Sequence, residues 1–179
     1  MLASSSGGNC YKISDGQTSL LLECGIPIKK IKEGLDFKLS KIDGCLVTHS
    51  HRDHSKASAD VLKAGVSIYT SKGTKDAIGL TGYGVKAVKA LEQFQIGTFT
   101  ILPFDTQHDA PDPLGYLVYS NKTGEKLLFA TDTYYVKYRF RGLNYIMVEC
   151  NYASDILQSN IENGSVPEAL KNRLLRSHF

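Results

Sequence analysis

Hydrophobic residues along the chain fall into short runs separated by polar stretches that are rich in turn-forming residues. Seven of these runs have the length and the content of β-branched and aromatic residues that are typical of strands. They cover residues 19–23, 44–48, 67–70, 97–103, 114–120, 126–130 and 145–149. Residues 121–124 (Asn-Lys-Thr-Gly) have turn chemistry, so the pattern predicts a β-hairpin over residues 114–130.

Helical periodicity occupies four stretches between and after the strands. These stretches are residues 55–64, 71–78, 153–161 and 168–176, the last beginning directly after Pro167. Interspersed strands and helices indicate an α/β fold in which helices cover sheets and functional residues lie on loops at strand ends. The sequence has no linker, internal repeat or low-complexity tract, and its 179 residues suit a single domain over residues 1–179.

Four potential metal ligands follow the predicted strand 44–48: His49, His51, Asp53 and His54. Imidazole nitrogens and carboxylate oxygens suit Zn²⁺, Mn²⁺ or Fe²⁺. A solvated polar loop is the simpler interpretation, but it does not explain why three of the five histidines fall within six positions. In an extended loop alternate residues point the same way, so His49, His51 and Asp53 would face one side and His54 a neighbouring position. The cluster therefore predicts two adjacent metal ions.

These residues match the His-x-His-x-Asp-His signature of the metallo-β-lactamase superfamily, which the sequence resembles over nearly its whole length. The resemblance implies a four-layer αββα sandwich. Residues 20–25 (LLLECG) resemble the family's first motif, a strand that ends in Asp and Gly, but Glu23 stands in place of the Asp. His108, Asp132 and His178 match, in order, the third-motif histidine, the carboxylate that bridges the metals and the last histidine ligand.

The resemblance assigns these residues to two metal positions that share Asp132. The first position would be held by His49, His51 and His108, and the second by Asp53, His54 and His178. The residues alone leave other roles open, because His108 could be a turn histidine and Asp132 a helix N-cap. We expect two divalent ions, Zn²⁺ first and Mn²⁺ or Fe²⁺ as alternatives. They would generate a metal-bound hydroxide near neutral pH, with Asp53 as the catalytic residue that orients it or accepts its proton.

The substrate class is suggested by Asp132 and by the residues that follow it. The best-known zinc β-lactamases carry a cysteine at this position, so Asp132 favours phosphodiesters or thioesters over antibiotics. At a period of two, three basic residues share one face of the following segment, opposite three apolar residues. The basic residues are Lys137, Arg139 and Arg141, and the apolar ones are Val136, Tyr138 and Phe140. Cations beside aromatic rings bind nucleic acids, although an edge strand protected by its charges would have the same pattern.

Two further segments point to one branch of the superfamily. Residues 4–9 (SSSGGN) form a loop whose backbone N–H groups suit a phosphate, although a simple Ser/Gly turn is equally natural there. This loop, with Cys10-Tyr11, and residues 149–152 (ECNY) resemble the YycJ/WalJ branch and its phage-encoded relatives, which are linked to DNA exonuclease activity. We therefore expect a phosphodiesterase or DNA nuclease. The alternatives are a glyoxalase-type thioester hydrolase and a non-catalytic accessory protein that binds nucleic acid.

Composition limits the setting of the protein. A net charge of +3 is compatible with a nucleic-acid partner but does not require one. The sequence has no run that would span a bilayer and its start lacks a secretory signal, so we expect a cytoplasmic protein without a membrane partner. The four cysteines are widely spaced, and three of them lie beside apolar runs, which is typical of reduced core residues. Residues 1–3 look like the end of a strand, and Phe179 falls where relatives continue, so we expect a chain trimmed at one or both ends.

Overall fold

The strands of the computed structural model, which describes residues 1–149 and 159–165, form two five-stranded sheets. The first sheet contains β1 (Tyr11–Ser14), β2 (Ser19–Leu22), β3 (Gly44–Leu46), β4 (Ile68–Thr70) and β5 (Val85–Ala87). The second contains β6 (Phe94–Ile96), β7 (Phe99–Asp105), β8 (Leu114–Ser120), β9 (Lys126–Ala130) and β10 (Tyr145–Val148). The helices within residues 1–149 are α1 (Ile28–Gly34), α2 (Arg52–Ser55), α3 (Ser58–Lys63) and α4 (Lys72–Ala77), with a 3-10 helix over Leu39–Lys41.

Strand direction brings several strand ends to one edge of the molecule. In the first sheet β2, β3, β4 and β5 are parallel, and helical connections join β2 to β3, β3 to β4 and β4 to β5. The carboxyl ends of β2 and β3 therefore lie side by side, and each delivers polar residues to the same edge. In the second sheet β6 to β9 form an antiparallel meander, and β10 returns parallel to β9.

Two hydrophobic cores lie on opposite faces of the first sheet. Leu21 packs with Ile31 of α1 and Val61 of α3, whereas Leu20 and Leu22 pack with residues of the second sheet. This alternation follows from the strand period of two, and it buries β2 on both faces. The first sheet is thus held between a layer of helices and the second sheet.

The predicted α/β class with two sheets is confirmed. All seven predicted strands are present, and the hairpin of β8 and β9 has the predicted strand bounds. The sequence pattern missed β1, β5, β6 and α1, and the helix predicted over residues 55–64 is divided between α2 and α3. The helix predicted over residues 168–176, and most of the one predicted over residues 153–161, lie outside the described residues.

Candidate metal centre

Two groups of potential ligands meet where the two sheets end, and Asp132 belongs to both. One group consists of His49, His51, His108 and Asp132, and the other of Asp53, His54 and Asp132. Within each group, one ligand atom from each residue lies within 4.8 Å of all the others. The structure thus brings together six of the seven residues that the sequence nominated as ligands. The seventh, His178, lies outside the described residues.

The chain between His49 and His54 is not one extended loop. The backbone N–H groups of His54 and Ser55 both bond to the carbonyl of His51 at 3.0 Å, which starts helix α2. Successive side chains of a helix point about 100° apart rather than to alternate sides. The expectation that Asp53 faces the same side as His49 and His51 is therefore wrong. Asp53 instead belongs to the ligand group of His54.

The ring of His49 has the environment of a metal ligand. Its side chain is 1% exposed, and its Nδ1 lies 2.9 Å from the Thr48 hydroxyl. Its Nε2 is buried and has no hydrogen-bond partner among the described residues, although the Asp132 carboxylate is 3.6 Å away. A buried polar atom without a partner costs free energy, and a cation bound between these two groups would remove that cost.

His54 lies between carboxylates on both sides of its ring. Its Nε2 is 3.2 Å from an oxygen of Asp53 and 3.2 Å from an oxygen of Asp132. Its Nδ1 is 3.7 Å from the fully buried carboxylate of Glu23, which also accepts a bond from the backbone N–H of Thr48. Glu23, although longer than the Asp of the family motif, therefore still contacts the second-position histidine.

The electrostatics of the cluster favour cations. Burial, reinforced by the positive charge of His54, lowers the pKa of His49 to about 2. Burial also acts to lower the pKa of His54, but hydrogen bonds to Asp132, Asp53 and Glu23 outweigh it and raise the pKa to about 12. Burial acts to raise the pKa of Asp132, yet His54 and His49 hold it below its usual range. Without a metal ion, His54 therefore carries a proton between ionised carboxylates, beside the neutral ring of His49. A divalent cation bound at the second position would replace that proton and be attracted by the same carboxylates.

Asp132 is placed by an unusual backbone conformation. Its φ is +46°, in the left-handed region that Asp and Asn tolerate better than most residues. The next residue, Thr133, accepts a bond at 3.0 Å from the backbone N–H of Gln107, which ties this segment to the loop that carries His108. No helix occurs in residues 133–144, so the alternative role of Asp132 as a helix N-cap is wrong.

The loop that carries His108 adds an acidic residue that the sequence interpretation missed. Asp109 lies 3.1 Å from Nε2 of His108 and 3.9 Å from Nε2 of His51, and its side chain is half exposed. The loop is fixed by Asp112, whose carboxylate accepts a bond at 2.9 Å from the backbone N–H of Gly73 at the start of α4. An acidic residue directly after a candidate histidine ligand was the signal available in the sequence.

Residues 136–141 keep the predicted alternation of apolar and basic faces, but they do not form a strand. Their three basic side chains are exposed, whereas the alternating apolar ones are partly buried. Tyr138 and Phe140 pack on the ring of Phe104 at centroid distances of 5.8 and 4.9 Å. The Lys137 ammonium lies 3.3 Å from the Asp105 carboxylate. Within residues 1–149 and 159–165 the other two, Arg139 and Arg141, form no ion pair, so they carry the uncompensated charge of the segment.

Three of the six backbone N–H groups in the Ser/Gly loop, residues 4–9, are already bonded within the protein. The backbone N–H groups of Gly7 and Gly8 bond to the side chain and the carbonyl of Ser5, and that of Asn9 bonds to the carbonyl of Asp53 at 2.7 Å. The loop also places the Asn9 side-chain nitrogen 3.4 Å from Nε2 of His54. The sequence interpretation named Asn9 only as part of this loop and gave it no role in the site.

Cys24 and Cys45 follow the expectation from composition, whereas Cys150 lies outside the described residues. Cys10, Cys24 and Cys45 are fully buried free thiols, and burial raises the pKa of Cys10 well above its usual range. Such thiols are inert core residues. No helix in the described part of the chain is long and apolar enough to cross a membrane.

Comparison with known proteins places the chain in a family. A model of the "Beta-lactamase superfamily domain" matches residues 29–170. The exodeoxyribonuclease YycJ of Bacillus anthracis is 28% identical over an alignment of 188 positions that spans 98% of this chain and 69% of that protein. The exodeoxyribonuclease WalJ of Streptococcus pneumoniae is 30% identical over an alignment of 190 positions that spans 98% of this chain and 68% of that protein.

Structural comparison gives the same fold. The metallo-β-lactamase fold protein YhfI from Bacillus subtilis superimposes with a TM-score of 0.67 at 19% identity, over 86% of this chain and 67% of that one. The family model covers most of the chain, and the sequence likeness to YycJ and WalJ covers nearly all of it. The chain therefore belongs to the beta-lactamase superfamily, with the metallo-β-lactamase fold and with relatives of the YycJ/WalJ type.

Proposed function

We propose that this protein is a metal-dependent phosphodiesterase that cleaves DNA. The observation that carries the proposal is the membership of Asp132 in both ligand groups, which is the arrangement needed to hold two cations side by side. Superfamily membership supports a metal-dependent hydrolase. The DNA substrate is supported by the relatives YycJ and WalJ, which are named as exodeoxyribonucleases.

The proposed ligand set uses every member of the cluster. His49, His51 and His108 would hold one cation, Asp53 and His54 the other, and Asp132 both; we propose His178 as a further ligand of the second. Zn²⁺ is the proposed metal, with Mn²⁺ or Fe²⁺ as alternatives that suit the same donors. When bound, the cations would supply Lewis acidity and a water molecule whose pKa is lowered toward neutrality.

Two residues have distinct tasks in this proposal: Thr48 orients a ligand, and Asp53 orients the attacking water or accepts its proton. The Thr48 hydroxyl fixes the ring of His49 so that Nε2 faces the cluster. The pKa of Asp53 is lowered by its hydrogen bond to His54, which outweighs burial, so its carboxylate is ionised at neutral pH. Its side chain is 31% exposed and therefore reachable from solvent. Asp53 can thus orient the attacking water or accept its proton.

We propose that a DNA strand is gripped beside the site by Arg139 and Arg141. Both are exposed and free of ion pairs within the described residues, and Tyr134 and Tyr135 are 45% and 55% exposed at the start of the same segment. Aromatic faces and cations together bind single strands. Lys137 contributes less than the arginines, because Asp105 already neutralises it.

The direct test is digestion of end-labelled single- and double-stranded DNA by metal-replete, full-length protein with Zn²⁺ or Mn²⁺. Cleavage should fall about 10²- to 10⁴-fold in Asp53→Ala, the usual loss of a general base, and should vanish in Asp132→Asn. Asp76→Asn is the matched control, because this exposed carboxylate of α4 pairs with Lys72 and, within the described residues, with no other side chain. A wild-type protein that binds metal but leaves DNA intact would refute the proposal. Turnover of a glutathione thioester would then identify a thioesterase, and DNA binding without bound metal an accessory protein.

DNA binding is tested separately through its salt dependence. Replacing a residue that contacts a phosphate should reduce the slope of log affinity against log salt by about one. Arg139→Ala and Arg141→Ala should each show this change, and Lys137→Ala a smaller one. Equal effects of the lysine and arginine variants would show that the Asp105 pair does not limit Lys137.

A further inference from the structure

Asn9 is fixed against the metal-binding loop by its backbone. Its N–H donates to the carbonyl of Asp53 at 2.7 Å, and its carbonyl accepts from the N–H of Gly25 at 2.8 Å. Gly25 allows this approach because a Cβ there would lie 1.6 Å from the same Asp53 carbonyl oxygen. These two backbone hydrogen bonds hold Asn9 against the loop that carries Asp53.

The contacts of the Asn9 side chain set which way its amide points. A backbone carbonyl can only accept, so the atom 3.3 Å from the Ser5 carbonyl must be the nitrogen, Nδ2. The amide oxygen then faces the Tyr11 hydroxyl, which donates to it at 3.1 Å. Nδ2 carries a second proton, and the atom on that side is Nε2 of His54 at 3.4 Å.

Once a cation binds at the second position, that proton has no hydrogen-bond acceptor within the described residues. Nε2 of His54 is the ring nitrogen that also lies 3.2 Å from both Asp53 and Asp132, and it is therefore the atom that would bind a cation. A nitrogen that binds a cation has no lone pair left to accept a hydrogen bond. The half-buried amide of Asn9 then lies beside the second metal position, and one N–H of its Nδ2 is available to a ligand.

We propose that Asn9 is a substrate-binding residue that donates this hydrogen bond to a non-bridging oxygen of the phosphate. The inference rests on the proposed phosphodiesterase function and adds to it a neutral donor outside the ligand set. An amide suits the task because it neither titrates nor competes with the carboxylates for the cation. Tyr11 acts as a positioning residue, because its hydroxyl holds the amide oxygen and so aims the nitrogen.

The test measures binding of inorganic phosphate to the metal-loaded protein by calorimetry, together with metal content by mass spectrometry and KM for DNA. Asn9→Ala and Asn9→Asp should weaken phosphate binding about 10- to 100-fold, the effect of one hydrogen bond to a charged group. Metal content should stay at the wild-type value. Tyr11→Phe keeps the amide but frees its oxygen, and should cause a smaller loss in the same direction. Asn121→Ala is the matched control, because this amide bonds to Thr98 and Thr100, at the turn between β8 and β9.

Three outcomes would overturn the inference. These are unchanged phosphate affinity in Asn9→Ala, a loss of metal that accounts for the weaker phosphate binding, or an equal loss in Asn121→Ala. Melting temperatures of all the variants separate these results from misfolding, and Tyr11→Phe supplies an independent reading if Asn9→Ala is unstable. If wild-type protein binds phosphate through Asn9 but cuts no DNA, the nuclease proposal fails and the binding role stands. If wild-type protein cuts DNA and Asn9→Ala binds phosphate normally, the nuclease proposal stands and the binding role of Asn9 fails.

Discussion

Asp15 should contribute strongly to stability and nothing to catalysis, because its contacts lie at the end of the sheets remote from the ligand cluster. One carboxylate oxygen accepts the backbone N–H groups of Gln17 and Thr18 at 3.0 and 2.9 Å. The other accepts the hydroxyls of Thr98, which precedes β7, and Ser120, which ends β8. The carboxylate therefore joins the turn between β1 and β2 to the second sheet.

The magnitude follows from these four bonds. Each is worth about 1 kcal/mol net, and water replaces part of the loss at a site that is partly exposed, so Asp15→Ala should cost about 3 kcal/mol. For a chain of this size, 1 kcal/mol shifts the melting temperature by roughly 2–4 °C, which gives a fall of about 6–12 °C. Urea denaturation and thermal melts at pH 7 measure it. Asp43→Ala, which loses a single bond to the N–H of Ser19, is the control and should cost about 1 kcal/mol or less.

The stability difference should depend on pH with a definite sign. Burial acts to raise the pKa of Asp15, but the bonds from Thr98, Thr18, Gln17 and Ser120 hold it below its usual range. A group whose pKa is depressed on folding stabilises the protein above the pKa of the unfolded chain, about 3.9 for Asp. The gap between wild type and Asp15→Ala should thus be constant near neutrality and shrink below about pH 4. A gap under 0.5 kcal/mol at pH 7, or one that does not change down to pH 3, would refute this reasoning.

Two further variants test how the ligand loop is held. Gly25→Ala should disrupt the loop and abolish metal binding, because its Cβ would overlap the carbonyl of Asp53; Gly79→Ala, at an open site with a φ of +67°, is the control and should only lower the melting temperature. Soluble Gly25→Ala protein with wild-type metal content would contradict the overlap. Thr48→Val removes the hydroxyl beside His49 without changing shape and should weaken metal affinity about 10- to 100-fold in a chelator competition; unchanged affinity would show that the hydroxyl does not orient the ring.

The sequence predicted the fold most accurately where two local signals agree. The long strands β8 and β9 were predicted to the residue because apolar runs and a turn of Asn, Thr and Gly agree. Three-residue strands such as β5 and β6 have too few positions to show a period, and their pairing partners rather than their composition make them strands. Helix α1 was missed because Pro27 and the lysines that follow resemble a polar loop, whereas burial of Ile31 against the sheet stabilises the helix.

For the site, order along the chain nominated the ligands but did not predict their geometry. The helical turn that separates Asp53 from His51 depends on bonds to a single carbonyl, and no periodicity in six residues reveals it. Asn9 was overlooked as a site residue because its proximity to His54 arises from pairing between segments that are 45 positions apart. Long-range contacts of this kind leave no local pattern.

The ligand cluster contains residues from both sheets, so its metal affinity depends on whether the two sheets are packed together. His49, His51, Asp53 and His54 follow strand β3 of one sheet, whereas His108 and Asp132 follow strands β7 and β9 of the other. A folding intermediate with only one sheet formed has at most part of the cluster and should bind cations weakly. By linkage, ions that bind only the complete cluster shift the equilibrium toward the docked sandwich. The affinity of this centre is therefore also a measure of how firmly the two halves of the chain are held together.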